Sequence, residues 1–273
     1  MPTVFITGAS RGIGRAAAER LHRLGWEVHA GVRKPEDAPA GTTPVIVDVT
    51  DAAQVAALAD ALPDRLDAVV NNAGIAVPGP VEGLTLDELR RQMEVNVVGQ
   101  VAVTQAVLPR IRASKGRIVF VSSVSGRIST PMMGAYNASK FALEALADAM
   151  RVELRPWGIP VVLVEPGAID TDIWRGADTQ LEETVAALSE EHKRLYDGHI
   201  AGMRKTVSFM QKRAAPVDTV AGVIERAVVS PKPKARYVVD AASKAQLAAY
   251  AATPTKLFDA VIAKGIGIPG SRR

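Results

Sequence analysis

Tyr136 and Lys140 stand four residues apart within Ala135–Leu154, a stretch whose apolar spacing predicts a helix, so both project from one face. A phenol beside an ammonium is equipped to move a proton at an oxygen. Reducing a ketone needs a donor at the carbonyl oxygen; oxidising an alcohol needs a base there. A free phenol titrates near ~10, too high to serve as a base at neutral pH. A cation at about 4 Å in a partly screened site is worth roughly 4 kcal/mol, or about three pKa units, so Lys140 is expected to draw Tyr136 towards the working pH. Thirteen residues before the tyrosine lies Ser123, with Ser122 as its rival. Successive strand residues point to opposite faces, so only one of the two is expected to reach the tyrosine. By itself, Tyr-x3-Lys also occurs as an ordinary surface pair.

The second candidate site is the turn Thr7-Gly8-Ala9-Ser10-Arg11-Gly12-Ile13-Gly14. It follows a short β-branched run, Thr3–Thr7, and opens a helix whose apolar face is Ile13, Ala17, Leu21 and Leu24, ended by Gly25. Glycines allow backbone to approach a ligand, and the following helix offers free N–H groups and a positive dipole end to a pyrophosphate. Strand before and helix after satisfy the context that a dinucleotide turn requires.

The elements that must hold these residues alternate. Strands are predicted at Glu27–Val32, Val45–Val49, Leu66–Val70, Arg117–Val121, Pro160–Glu165 and Arg236–Val239. Helices are predicted at an Asp51-capped segment carrying Val55, Leu58 and Leu62, then at Asn96–Ile111, at Ala135–Leu154 and at Val217–Val228. Four valines between 95 and 101 favour strand, but Val97, Val101, Thr104, Leu108 and Ile111 keep a helical step. Such alternation implies βαβ units, hence α/β architecture with a parallel sheet covered on both faces. A mixed-charge stretch runs from Asp172 to Arg213. The tail, about Ser243 to Ile268, reads as one or two helices broken at Pro254. No repeat or composition break divides residues 1–273, so one domain is expected.

Composition narrows the classes. Apolar residues make up 48% of the 273, charged residues 23% and aromatics 4%, so a large aliphatic core is available. A net charge of +4 with no run of like charges argues against a nucleic-acid partner. There is no cysteine, which excludes disulfides, thiolate metal sites and a cysteine nucleophile. His22, His29, His192 and His199 form no helical His-x3-His pair, so no metal is expected. Met1-Pro2-Thr3 runs straight into a strand, and no stretch approaches the ~20 apolar residues of a membrane helix, so a cytoplasmic protein is expected.

The spacing Gly8-x3-Gly12-x-Gly14 resembles the cofactor motif of the short-chain dehydrogenase/reductase family, classical type. Further motifs of that family follow in order: Asn71-Asn72-Ala73-Gly74, Asn96, Ser123, Tyr136-Asn137-Ala138-Ser139-Lys140, and Pro166-Gly167 leading through Ile169 to Thr171. The resemblance covers about residues 3 to 240. It implies a Rossmann-type doubly wound sheet of about seven strands, order 3-2-1-4-5-6-7, and hydride transfer with a nicotinamide cofactor. It further implies that Tyr136 is the acid/base and that Lys140 holds the ribose hydroxyls and, with the positive nicotinamide ring, lowers the Tyr136 pKa. Ser123 bonds the substrate oxygen, and Asn96 supports a water in the proton relay. Gly8, Ser10, Arg11, Gly12, Ile13, Gly14, Asn72, Ala73, Gly74, Pro166, Gly167, Ile169 and Thr171 are implied in cofactor binding, and Asp48-Val49 touches adenine.

At the end of the second strand an acidic residue would select NAD(H). Here stand Val32-Arg33-Lys34, and Arg33 can face a 2′-phosphate with charge-assisted bonds, with Arg11 as a second cation. NADP(H) is therefore expected; the alternative is a solvated strand end balanced by Glu36 and Asp37. By family pattern 172–213 is a lid, and Met132, Met133 and Trp174 are candidate substrate contacts for a lipophilic alcohol or carbonyl. The stretch from Tyr136 to Gly158 is similar to the hydroxysteroid and retinol dehydrogenase branch. Alternatives are a 3-oxoacyl-type reductase, an isomerase or dehydratase, and a non-catalytic NADP(H) sensor. The stripe Ala142, Ala145 and Ala149 and the Val-rich Asn96–Ile111 imply, for this family, a homodimer or homotetramer.

Overall fold

Runs of β-branched residues build the centre of the molecule. The computed structural model describes residues 1–171 and 175–268. Seven strands form one parallel sheet: β1 (Thr3–Thr7), β2 (Glu27–Val32), β3 (Thr43–Ile46), β4 (Ala68–Asn71), β5 (Arg117–Val121), β6 (Val161–Glu165) and β7 (Arg236–Val238), in the order β3-β2-β1-β4-β5-β6-β7. The order is the one the resemblance implied. Alternation sends Val4, Ile6, Val119, Val121, Val162 and Val164 to one face. There they meet α1 (Gly12–Arg23) and the later helix Val217–Val229. Phe5, Ile118, Phe120, Val161 and Leu163 face the other side, against α2 (Ala52–Ala61), α4 (Gly99–Ser114) and α5 (Gly134–Glu153). Both faces are covered, which is why the strands read as unbroken apolar runs.

Boundaries moved where tertiary pairing decides them. β3 lies at Thr43–Ile46, two residues earlier than Val45–Val49, because its register is set by pairing His29–Val32 with Thr43–Ile46. Past it the backbone turns, with Asp48 accepting from the Thr50 N–H (3.0 Å) and hydroxyl (2.7 Å). Before α4 stands a helix the periodicity did not reveal, α3 (Leu86–Met93), opened by a capping box between Thr85 and Glu88. A π-helical turn, Glu94–Val98, joins it to α4, so the regular helix starts at Gly99 rather than Asn96.

The mixed-charge stretch is helical: α6 (Ala177–Ala187), α7 (Glu190–Leu195) and α8 (Asp197–Arg213) share a small core of Leu181, Leu188, Ile200, Met203 and Val207. After α9 (Val217–Val229) and β7, the tail forms α10 (Ala241–Ala252) and α11 (Thr255–Ile266), broken at Pro254.

Candidate active site

The chain order reverses between β1 and β4, and a crevice must open at the carboxyl ends of strands flanking such a switch point. A cavity of about 270 Å³ lies there. Its floor is the turn after β1, where Gly8 and Gly12 take left-handed φ of 64° and 54°. This turn is stitched to the one after β4. Thr7 Oγ1 accepts from the N–H groups of Asn72 (3.0 Å) and Ala73 (3.1 Å), and Asn72 Nδ2 donates to the carbonyls of Thr7 (3.0 Å) and Gly8 (3.1 Å). Gly14 does not line the cavity. A Cβ there would overlap the Gly8 carbonyl oxygen and Asn72 Nδ2, so its role is to let α1 close onto the stitched turns. Neither neighbour can yield without breaking a hydrogen bond. Gly14→Ala is therefore expected to cost ~1–3 kcal/mol, read as a lowered midpoint of denaturation.

Every other residue expected at the cofactor borders this cavity, from Ser10, Arg11 and Ile13 to Pro166, Gly167, Ile169 and Thr171. Gly31, Val47, Ile75, Val95 and Val121 join them without having been foreseen. Arg33 is exposed at the end of β2 and also lines it. Its charge reaches Asp48, whose carboxyl is held below the usual range first by the two Thr50 bonds and further by Arg33.

α5 brings Tyr136 and Lys140 to the same wall. The Ser123 hydroxyl borders the cavity beside Tyr136, donates to the Pro166 carbonyl at 3.4 Å and accepts from the Ser125 N–H at 3.1 Å. Ser122 also borders the cavity, contrary to the expected alternation, because both serines lie beyond the end of β5. Lys140 Nζ donates to the Val121 carbonyl at 2.9 Å and lies 5.8 Å from the centre of the Tyr136 ring. Burial lowers the Lys140 ammonium to about 8, with the Glu144 charge opposing; below that pH it stays protonated. Tyr136 departs from the expectation. Burial pushes the phenol above its ordinary value, and the Ser123 hydroxyl offsets only part of this. A cation anchored on a backbone carbonyl at this range does not reverse the desolvation of the phenol.

Asn96 lies behind the cavity wall, fully buried in the π-turn. Its Oδ1 accepts from the Ile75 N–H at 2.9 Å, and its Nδ2 donates to the Ile75 carbonyl (3.0 Å) and Ser139 Oγ (3.1 Å). Gln92 and Gln100 extend the same ladder. Gln92 accepts from the Val77 N–H at 2.8 Å and donates to the Ile75 carbonyl at 3.0 Å; Gln100 donates to the Ala73 carbonyl at 2.8 Å. Ser139, one residue before Lys140, passes the restraint to α5 by donating to the Tyr136 carbonyl at 2.7 Å. Gln92 and Gln100 escaped the sequence reading, although amides at 92, 96 and 100 carry the signal of a step of four.

A glycine turn at the switch point, with a tyrosine, a serine and a lysine converging opposite it, is an arrangement that sequence comparison can test. The family model for short chain dehydrogenases matches residues 2–182. The chain belongs to the short-chain dehydrogenase family. This dehydrogenase is 37% identical to an NADPH-dependent 3-dehydrocapnine reductase of Ornithobacterium rhinotracheale, with 97% of this chain and 98% of that protein covered. It is 31% identical to retinol dehydrogenase 5 of Mus musculus, with 95% and 87% covered. Among solved structures it resembles a short chain dehydrogenase from Burkholderia cenocepacia in complex with NADP, at 25% identity and a TM-score of 0.74 over 97% of each chain. The dehydrogenase is thus an oxidoreductase of alcohol and carbonyl groups.

The candidate substrate residues sit apart from the cavity. Met132 is buried against the core of α6–α8 and holds a left-handed φ of 64°, unusual for a side chain with a Cβ. Met133 packs against the same cluster, half-buried, and neither lines the cavity. Trp174 lies outside the described residues. Among the described residues no group of His, Asp or Glu side chains is placed to hold a metal, and no helix is long and apolar enough to cross a membrane.

Proposed function

We propose that the protein interconverts a secondary or primary alcohol and its carbonyl on a lipophilic small molecule, with NADP(H) as cofactor and Tyr136 as acid/base. One observation carries the proposal: Tyr136, Ser123 and Lys140 share the wall of a cavity that the glycine turn floors. The residues fit a dinucleotide. The turn holds left-handed backbone where a ligand must approach, and Arg11 and Arg33 line the same cavity as that turn. When bound, the nicotinamide supplies or accepts the hydride.

The chain's own groups do the rest. A phenol held above its ordinary value keeps its proton at neutral pH and donates it to a carbonyl oxygen, which favours reduction in this geometry. Ser123 positions that oxygen. Lys140, protonated below about 8, holds ribose hydroxyls and steadies the phenolate left after donation. Asn96 spends its amide on Ile75 and Ser139, so it aligns the helix bearing Tyr136 instead of binding relay water through its side chain.

The segment 172–213 serves as substrate lid, its apolar core seated on Met132, four residues before Tyr136. Relatives named for 3-dehydrocapnine and for retinol support a lipophilic substrate. Exposed Phe141, Leu146 and Val152 on α5 support a homodimer or homotetramer, and the working compartment is the cytoplasm. The test is NADPH consumption against graded steroid, retinoid, fatty-chain and simple aromatic carbonyls. Turnover rising with apolar size is the expected outcome. Robust NADPH binding with no turnover across the panel would leave the sensor alternative, and strict preference for acyl-thioester substrates the 3-oxoacyl one.

A further inference from the structure

Two buried carboxyl groups, one of them a helical turn from Lys140, have no part in the reaction described above. Glu144 stands one helical turn beyond Lys140 on α5 and is 5% exposed; Glu165, the last residue of β6, is fully buried. Arg236 of β7 touches both. Its Nε lies 3.0 Å from Glu144 Oε2 and 3.1 Å from Glu165 Oε1. That nitrogen carries one hydrogen, and it goes to Glu144. The rest of the Arg236 charge is shared with Asp148 at 2.6 Å, which also pairs with Arg151. Arg127, from the turn after β5, reaches Glu165 Oε2 only at 3.4 Å and is itself half-exposed.

The buried oxygens are left short of donors. Glu165 Oε1 is buried without a hydrogen-bond partner among the described residues, and the one hydroxyl beside Glu144 is that of Ser122, itself buried with no other partner there. Two ionised carboxylates around one guanidinium, in a site this dry, repel each other and leave lone pairs unmet. A single proton relieves both faults. Burial, and then the charge of Glu144, push Glu165 up to about 7, and burial raises Glu144 as well. Groups coupled in this way titrate as a pair.

We propose that Glu144 and Glu165 share one proton at neutral pH, and that the charge of Glu144, facing Lys140 along α5, makes it a positioning residue for the Tyr136–Lys140 chemistry. The link to Lys140 rests on the function proposed above; the shared proton does not. The sign follows from the charges. As pH rises through about 7 the pair loses its proton and passes from one negative charge to two. The added anion steadies the Lys140 ammonium just below the pH at which that group would otherwise release its own proton. Besides Lys140, the charged groups facing the pair are Arg236 and Arg127, with Asp148 and Arg151 at its edge.

Infrared difference titration of the wild-type protein tests the proton directly. The expected result is a neutral carboxylic-acid C=O band that fades through about pH 7 and fades at lower pH in Glu144→Gln, because Glu165 then keeps its burial but loses the charge of its neighbour. A wild-type protein showing no such band at neutrality, or a band surviving in the double variant Glu144→Gln with Glu165→Gln, overturns the pair. The second measurement is the pH profile of kcat/KM. Glu144→Gln is expected to move the alkaline limb down by roughly one pH unit, and Glu144→Asp to restore part of it. An unmoved limb in a variant with native near-ultraviolet circular dichroism overturns the positioning role. Should the variants misfold, the wild-type titration still decides the shared proton. Turnover surviving in Tyr136→Phe would sink the catalytic reading while leaving the infrared band in place, so the two failures are distinguishable.

Discussion

Tyr136→Phe is expected to reduce turnover by ~10²–10⁴-fold or more while leaving NADPH affinity within about twofold. The change removes one oxygen and keeps the ring, so the wall of the cavity and the contact of Lys140 with the ring face persist. Lys140 keeps its anchor on the Val121 carbonyl, and the glycine turn is held by Asn72 and Thr7 on the opposite side. Lost is the proton donor, while Ser123 keeps its bonds to the Pro166 carbonyl and the Ser125 N–H, so stability shifts by about 1 kcal/mol or less. Single-turnover absorbance of NADPH against a reactive ketone reads the rate, and fluorescence titration reads the affinity. A variant retaining a tenth or more of the wild-type rate would show that another group moves the proton.

Arg33→Asp is expected to lower the ratio of kcat/KM for NADPH over NADH by ~10²-fold. A charge-assisted bond to a phosphate is worth about 1.5–3 kcal/mol, a factor of roughly 10 to 150, and the introduced carboxylate adds repulsion. The site sharpens the effect. Arg33 already faces Asp48, so its replacement would leave two carboxylates where a 2′-phosphate must sit. Those carboxylates are the partners that ribose hydroxyls prefer, so the NADH term rises as the NADPH term falls. Arg11, in the same cavity, limits the size of the switch. Initial rates with both cofactors at saturating carbonyl measure the ratio, and an unchanged ratio would make the arginines bystanders.

Much of the frame was readable from local pattern. Short apolar runs announced β1, β2, β5 and β6 nearly to the residue, and the resemblance to a family supplied the order of the strands. Thr85-x-x-Glu88, a capping box, was equally readable in principle and marks α3, but its apolar stripe is too weak to draw notice. The π-turn at Glu94–Val98 left no local trace, since its residues carry strand propensity and helical spacing at once. The helices α6 to α8 were hidden in the same way: their stripe is narrow because they bury only a small core against Met132.

By itself, then, the sequence determined the alternation of strand and helix and the single helical face that carries Tyr136 and Lys140, while the strand order came only through the resemblance to a family. The first two follow from short-range rules of backbone sterics and side-chain period, which act within a few residues. The tertiary structure alone decided what surrounds each group. It set the phenol of Tyr136 above its ordinary value, committed Asn96 to Ile75 and Ser139, and gathered Glu144, Glu165 and Arg236 around one guanidinium nitrogen. Burial and electrostatic neighbours come from residues distant in the chain, and desolvation at that range leaves no periodicity in the sequence to read.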